Sequence, residues 1–198
     1  MKGKLAFSLI LIALLALGTY WAGTPDETKS IDEKAPNLKE KTPGGPGIEI
    51  TGLVERPYNV SIEELNGMPS KSLQAVLYCV GAPDKVLKNG TWRGVPLRYL
   101  LQKAGIKENA VKVALYASDG YTTDLRVDEV LKEDDIIVAY EYNGETISPR
   151  LVVPGRWGYK WIKRLSRIEL VDYDFKGTWE SAGYPDDAYI ENEGLPWR

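Results

Sequence analysis

From residue 48 onward the apolar residues recur in short runs whose period keeps changing. Residues 48–54 alternate apolar and polar side chains, the period of a strand with one buried face. Ser61 precedes Ile62, Glu63 and Glu64, an order that predicts a capping box opening a short helix through Leu65. Residues 74–80 are rich in β-formers. Leu97, Leu100 and Leu101 share one face of a helix predicted over 96–103, with Gly105 as its stop. Residues 111–116 predict a strand and 127–131 a short helix that begins near Arg126. Residues 136–142 predict a strand running into the hairpin signal Asn143-Gly144. Further strands are expected at 150–153 and 168–171. The chain shows no repeat and no regular alternation of strand with helix. The fold class predicted is therefore α+β, with mixed β-sheets and short helices, and not a doubly wound parallel sheet.

Ahead of this pattern, residues 5–23 carry no charge. Lys2 and Lys4 precede the run, and Asp26 and Glu27 follow it. The run approaches the length of a membrane span, and its flanks predict an N-terminus inside and the bulk outside. Residues 1–23 are expected to be a membrane anchor, with a cleaved signal peptide as the alternative. Residues 24–46, rich in Lys, Glu, Asp, Pro and Gly, are expected to be a disordered linker. The folded domain is expected over 47–198, anchored to the membrane on its extracytoplasmic side.

Composition narrows the chemistry. The 198 residues suit one domain and a tail, and 43% hydrophobic residues allow a sizeable core. A net charge of −3 with scattered Lys and Arg does not favour nucleic acid. There is no His, which excludes His-ligated haem, His-based zinc sites and a His general base. Cys79 is the one Cys, so an intrachain disulfide and a Cys-ligated iron–sulfur cluster are excluded as well.

Three segments carry candidate chemistry. Cys79 ends an apolar run and is followed by Gly81, Ala82 and Pro83. A strand end followed by turn residues can present a side chain to a ligand, although a lone Cys is more often a small buried hydrophobe. Ser118-Asp119-Gly120-Tyr121 reads by default as a turn. In the third segment Arg150, Arg156, Lys160 and Lys163 gather positive charge around a tight turn, where Gly158 allows close backbone approach. Arg supplies a fork and Lys a point charge, and both suit a phosphate.

Taken together these segments resemble the molybdopterin-binding domain of the sulfite oxidase family. The resemblance runs through Leu77-Tyr78-Cys79-Val80-Gly81, then Trp92-Arg93-Gly94-Val95-Pro96, then Arg150-Leu151-Val152-Val153-Pro154 with Gly158, Lys160 and Lys163. Asp119-Gly120-Tyr121, Trp179 and Gly183-Tyr184 extend it, so that it covers about 48–190. Trp157 to Lys160 is similar to the periplasmic methionine sulfoxide reductase subgroup. The resemblance implies a sulfite-oxidase-type fold with Cys79 as thiolate ligand to molybdenum, tungsten accepting the same soft ligand. It implies that Arg150, Lys160 and Lys163 hold the pterin phosphate, with backbone contacts from Gly158 and Tyr159. Tyr121, Arg156 and Arg93 are expected at the substrate pocket. The implied activity is oxygen-atom transfer, sulfite oxidase-like or S-/N-oxide reductase-like, on a small oxyanion or an S-/N-oxide. With Cys79 committed and no His, the chain holds no second redox centre, so a separate, membrane-associated electron-transfer protein is expected. No twin-Arg pair precedes the apolar run, and the reductase's N-terminal pterin-contacting segment is not recognisable. The alternative expectation is a cofactor-free extracytoplasmic binding module that retains the fold.

Overall fold

The computed structural model of the protein describes residues 47–191. The anchor expected over 1–23 and the linker over 24–46 lie outside the described residues, as do 192–198. Nine strands and three short helices follow in order. They are β1 (Gly47–Gly52), β2 (Tyr58–Ser61), α1 (Ile62–Asn66), β3 (Lys71–Cys79), β4 (Ala82–Pro96) and α2 (Leu97–Ala104). Then come β5 (Lys112–Ala117), β6 (Thr122–Arg126), α3 (Val127–Lys132), β7 (Ile137–Tyr142), β8 (Glu145–Val152) and β9 (Leu165–Val171).

The strands form two sheets, β2-β1-β9-β5-β6 and β3-β4-β7-β8. The first is mixed, because β1 lies parallel to β9 with Ile50 opposite Ile168, while its other pairs are antiparallel. The second is antiparallel throughout. Local signals set several elements as expected. Ser61 Oγ accepts from the Glu64 amide at 3.1 Å, and the Glu64 carboxylate accepts from the Ser61 amide at 2.7 Å, closing the capping box of α1. α2 buries Leu97, Leu100, Leu101 and Ala104, and Gly105 ends it with φ of 75°. Asn143 and Gly144, at φ of 51° and 85°, turn β7 into β8.

Other elements depend on tertiary contacts. β4 runs through charged residues, two glycines and two prolines, which together hide its strand character in the sequence. It forms because it pairs with β3 on one side and β7 on the other. A Cβ at Gly94 would stand 2.2 Å from the Val138 carbonyl oxygen, so only glycine lets β4 approach β7 there. β8 begins earlier than expected and carries Pro149 within it, which an edge strand tolerates. One core joins both sheets, and the buried Trp92 and Trp161 rings meet edge to face at 5.7 Å within it.

Candidate active site

The β3–β4 hairpin brings Cys79 to a cleft. Along this hairpin the register shifts twice, between Leu77 and Tyr78 and again between Tyr78 and Cys79. With Leu77 opposite Lys88 and Tyr78 opposite Val86, Leu87 is the extra residue of a bulge. It faces the same cleft as Cys79. Cys79 is a free, half-buried thiol.

The cleft measures about 390 Å³. Besides Cys79 it is lined by Tyr121, Arg150, Gly158, Tyr159 and Lys163. These six expected site residues come from four separate stretches of chain, and the fold gathers them. The floor is a 3-10 turn, Gly158–Lys160, packed against β3. A Cβ on Gly158 would stand 2.6 Å from the Tyr78 carbonyl oxygen, so glycine is what lets this turn abut the Cys79 strand. Tyr121 donates its hydroxyl to the Tyr159 carbonyl at 2.6 Å. Burial, followed by the Glu180 charge, pushes the Tyr121 phenol well above its ordinary range. Its proton is thus engaged, and Tyr121 serves the cleft as a wall that ties β6 to the floor.

Arg150 is the unusual charge. It is 9% exposed, its Nε has no hydrogen-bond partner, and its guanidinium lies 5.7 Å from the Trp92 ring centroid. Burial pushes it down to about 10, so it remains a cation at neutral pH. A cation buried this deeply without a carboxylate beside it is what an anion site looks like before its anion arrives. Lys163, exposed on the next segment, meets Arg150 through a backbone bridge.

Three expected site residues lie elsewhere. Lys160 is fully buried and turns away from the cleft, with Nζ 2.6 Å from Glu180 Oε1, 3.2 Å from Asp124 Oδ1 and 2.9 Å from the Asp124 carbonyl. Its charge is already matched, so it holds the fold under the floor and does not face a phosphate. Arg156 is also fully buried. It donates to the Asp187 carbonyl at 2.8 Å, to Glu133 at 3.1 Å and to the Tyr189 hydroxyl at 2.8 Å. It ties the C-terminal segment to the end of α3 and lines no cleft with Cys79. Arg93 is exposed on β4, 3.7 Å from Glu141, and likewise stays outside.

Two further lining residues belong to the segments that extend the resemblance but were not expected as site residues. Trp179 stands at the cleft, 37% exposed, stacked edge to face on Tyr184 at 4.6 Å. Asp119 is held below the usual carboxylate range by the Tyr121 amide, which donates to it, and by the Arg164 guanidinium at 2.7 Å. An aromatic eight residues beyond a strand gives no local signal of facing a cleft built by four other segments.

The donor set tests which group fits. Among the described residues no group of three or more His, Cys, Asp or Glu could hold a metal ion. A metal at Cys79 must therefore bring its other ligands with it, and a half-exposed thiol beside an unpaired buried cation suits a metal carried on a phosphorylated organic group. The lining thus fits the phosphorylated metal cofactor that the resemblance to the sulfite oxidase family implies.

Comparison with known proteins supports the same class. The model of the oxidoreductase molybdopterin binding domain matches residues 43–179, and the chain belongs to that family. An uncharacterized oxidoreductase, YuiH of Bacillus subtilis, is 31% identical over 157 residues, covering 76% of this chain and 75% of that protein. The NADH nitrate reductase of Solanum lycopersicum is 32% identical over 184 residues, covering 75% of this chain but 19% of the reductase. Among solved structures, the sulfane dehydrogenase SoxCD of Paracoccus pantotrophus matches with a TM-score of 0.58 at 26% identity, over 65% of this chain and 38% of that one. The chain thus spans about a fifth of the nitrate reductase and under half of the dehydrogenase chain. It is a molybdopterin-binding oxidoreductase of sulfite-oxidase-type fold.

Proposed function

We propose that this chain catalyses oxygen-atom transfer at a molybdenum centre held in the Cys79 cleft, exchanging its electrons with a separate redox protein. The observation that carries the reading is the meeting of the free Cys79 thiol and the unpaired, buried Arg150 in one cleft. Cys79 would hold the metal through its thiolate. Arg150 and Lys163 would hold the pterin phosphate, and Gly158 and Tyr159 would form the floor beneath the group. The cofactor, once bound, supplies two-electron oxygen-atom exchange, chemistry that no side chain here performs.

The chain's own residues shape what enters. Leu87, Val80, Trp179 and the Tyr121 ring give the mouth an apolar lining. The arginine cluster that would suit a small oxyanion such as sulfite is not assembled, since Arg93 and Arg156 are engaged elsewhere. This lining favours a neutral S- or N-oxide bearing an apolar substituent. With no His and with Cys79 committed, electrons must leave or arrive through a partner. An N-terminal anchor over 1–23 would hold the domain outside the cytoplasm, near a membrane-associated electron carrier.

The test is the content of molybdenum, tungsten and pterin in protein from its native membrane, beside a Cys79→Ser variant. About one metal and one pterin per chain, with the metal lost or its spectrum altered in the variant, supports the reading. Absence of both from the native protein sinks it.

A further inference from the structure

Arg150 and Lys163 face two clefts, not one. A second cleft of about 360 Å³ is lined by these two residues together with Lys88, Arg164, Trp92 and Tyr142. Four cations line it and no carboxylate does, in a chain whose net charge is −3. Arg150 and Lys163 come from β8 and from the loop before β9, Lys88 comes from β4, and Arg164 follows Lys163. Cations brought together from separate elements repel one another unless an anion sits among them.

The individual contacts point the same way. Arg150 is nine-tenths buried with an orphaned Nε. Lys88 Nζ lies 4.4 Å from the Tyr142 ring centroid, a contact that orients an ammonium without neutralising it. Arg164 is held in a left-handed backbone conformation, φ of 53°. One of its nitrogens pairs with Asp119 at 2.7 Å, and its remaining donors are available to a second acceptor. Ser148 adds a hydroxyl to the lining.

We propose that this second cleft is an oxyanion site taking a tetrahedral, phosphate-like dianion, with Lys88 and Arg164 as its ligands beside Arg150 and Lys163. Two sources share that chemistry. One is the phosphomonoester end of the cofactor, reaching past Arg150 from the Cys79 cleft, and this source rests on the function proposed above. The other is a free oxyanion.

Phosphorus-31 NMR on the full chain, carrying whatever cofactor it holds when isolated, separates them. The variants are Lys88→Gln, Arg164→Gln and their double, with Lys132→Gln, on a solvated helix, as control. Each altered side chain is largely exposed, so the fold is retained. If the cofactor's phosphate sits here, the wild type shows a bound phosphomonoester resonance that stays dianionic below the ordinary second pKa of about 6. In the double variant that resonance then titrates at a higher pH, while the control matches the wild type. If the source is free, the bound resonance is unmoved by the variants, and added inorganic phosphate binds the wild type saturably. Each substitution then weakens that binding about tenfold. An unmoved resonance together with no saturable phosphate binding, or with binding equally weakened in Lys132→Gln, overturns the proposal. Native protein without metal or pterin would remove the proposed activity, and the inorganic phosphate titration would still decide this site.

Discussion

Lys160 Nζ lies 2.6 Å from Glu180 Oε1, and both side chains are completely shielded from water. Asp124 joins the pair from β6, Lys112 pairs with Asp124 in turn, and Thr123 donates to Glu180 at 2.7 Å. The network therefore links three parts of the Cys79 cleft: the floor turn, β6 next to Tyr121 and the Trp179 segment. Removing one member leaves a buried charge without a partner, which typically costs about 3–5 kcal/mol. Glu180→Ala should lower the unfolding free energy by that order in denaturant melts. Replacing both members, Lys160→Met with Glu180→Leu, should cost less than either single change, because no charge is then stranded.

Arg150 predicts the opposite sign. A cation whose pKa falls on folding costs stability at every pH below its folded value, here about 10. Arg150→Met should therefore raise the stability of cofactor-free protein by on the order of 1–3 kcal/mol. The same change should lower the pterin recovered with the native protein. A loss of stability in the cofactor-free variant would mean that Arg150 has a partner in the folded chain.

The Tyr121 hydroxyl donates to a backbone carbonyl and is not available as an acid. Tyr121→Phe should cost about 1 kcal/mol, the net value of one hydrogen bond. Metal content should stay intact, and the pH profile of turnover should keep its shape. A lost limb in that profile would return Tyr121 to a proton-transfer role.

Asp186 ties the C-terminal segment to Lys112 at 2.9 Å. Burial alone would raise its carboxyl, but the Lys176 and Lys112 ammoniums outweigh burial and hold it below its ordinary value of 3.8. A carboxylate whose pKa falls on folding stabilises fully above that ordinary value, and the contribution disappears as pH drops through the folded one. Asp186→Asn should thus be less stable than wild type at neutral pH. The difference between the two proteins should begin to shrink in melts only as pH falls below about 4.

Gly158→Ala should be costly for its size. The added methyl meets the Tyr78 carbonyl at 2.6 Å and Leu77 at 3.0 Å, so the floor turn must move off β3. A loss of about 1–3 kcal/mol is expected, accompanied by lower metal occupancy. Full occupancy with unchanged stability would show that the turn has room to shift.

How far the sequence carried differs between fold and site. The capping box at Ser61, the apolar face of α2 and the Asn143-Gly144 turn depend on neighbours within a few residues, and each was legible. β4 was not, since it pairs with β7 up to fifty residues away, and the early part of β8, although it pairs with β7 just across the turn, was hidden by its polar residues and Pro149. The basic turn shows the same division. Arg150, Arg156, Lys160 and Lys163 look alike along the chain, and four cations in one segment suggest one anion site. Folding sends them to three different surroundings.

What the sequence by itself determined was the inventory and its limits. It carries a single thiol, no imidazole, an α+β pattern of short elements, and family segments in the right order. Those follow from residue type and local spacing. The tertiary structure alone decided which cations stay unpaired. Asp124, Glu180 and Glu133 come from distant segments and neutralise Lys160 and Arg156, while no carboxylate among the described residues reaches Arg150. A charge becomes a binding group only where the fold removes it from water and withholds its partner, and that depends on distances between segments that no local pattern encodes.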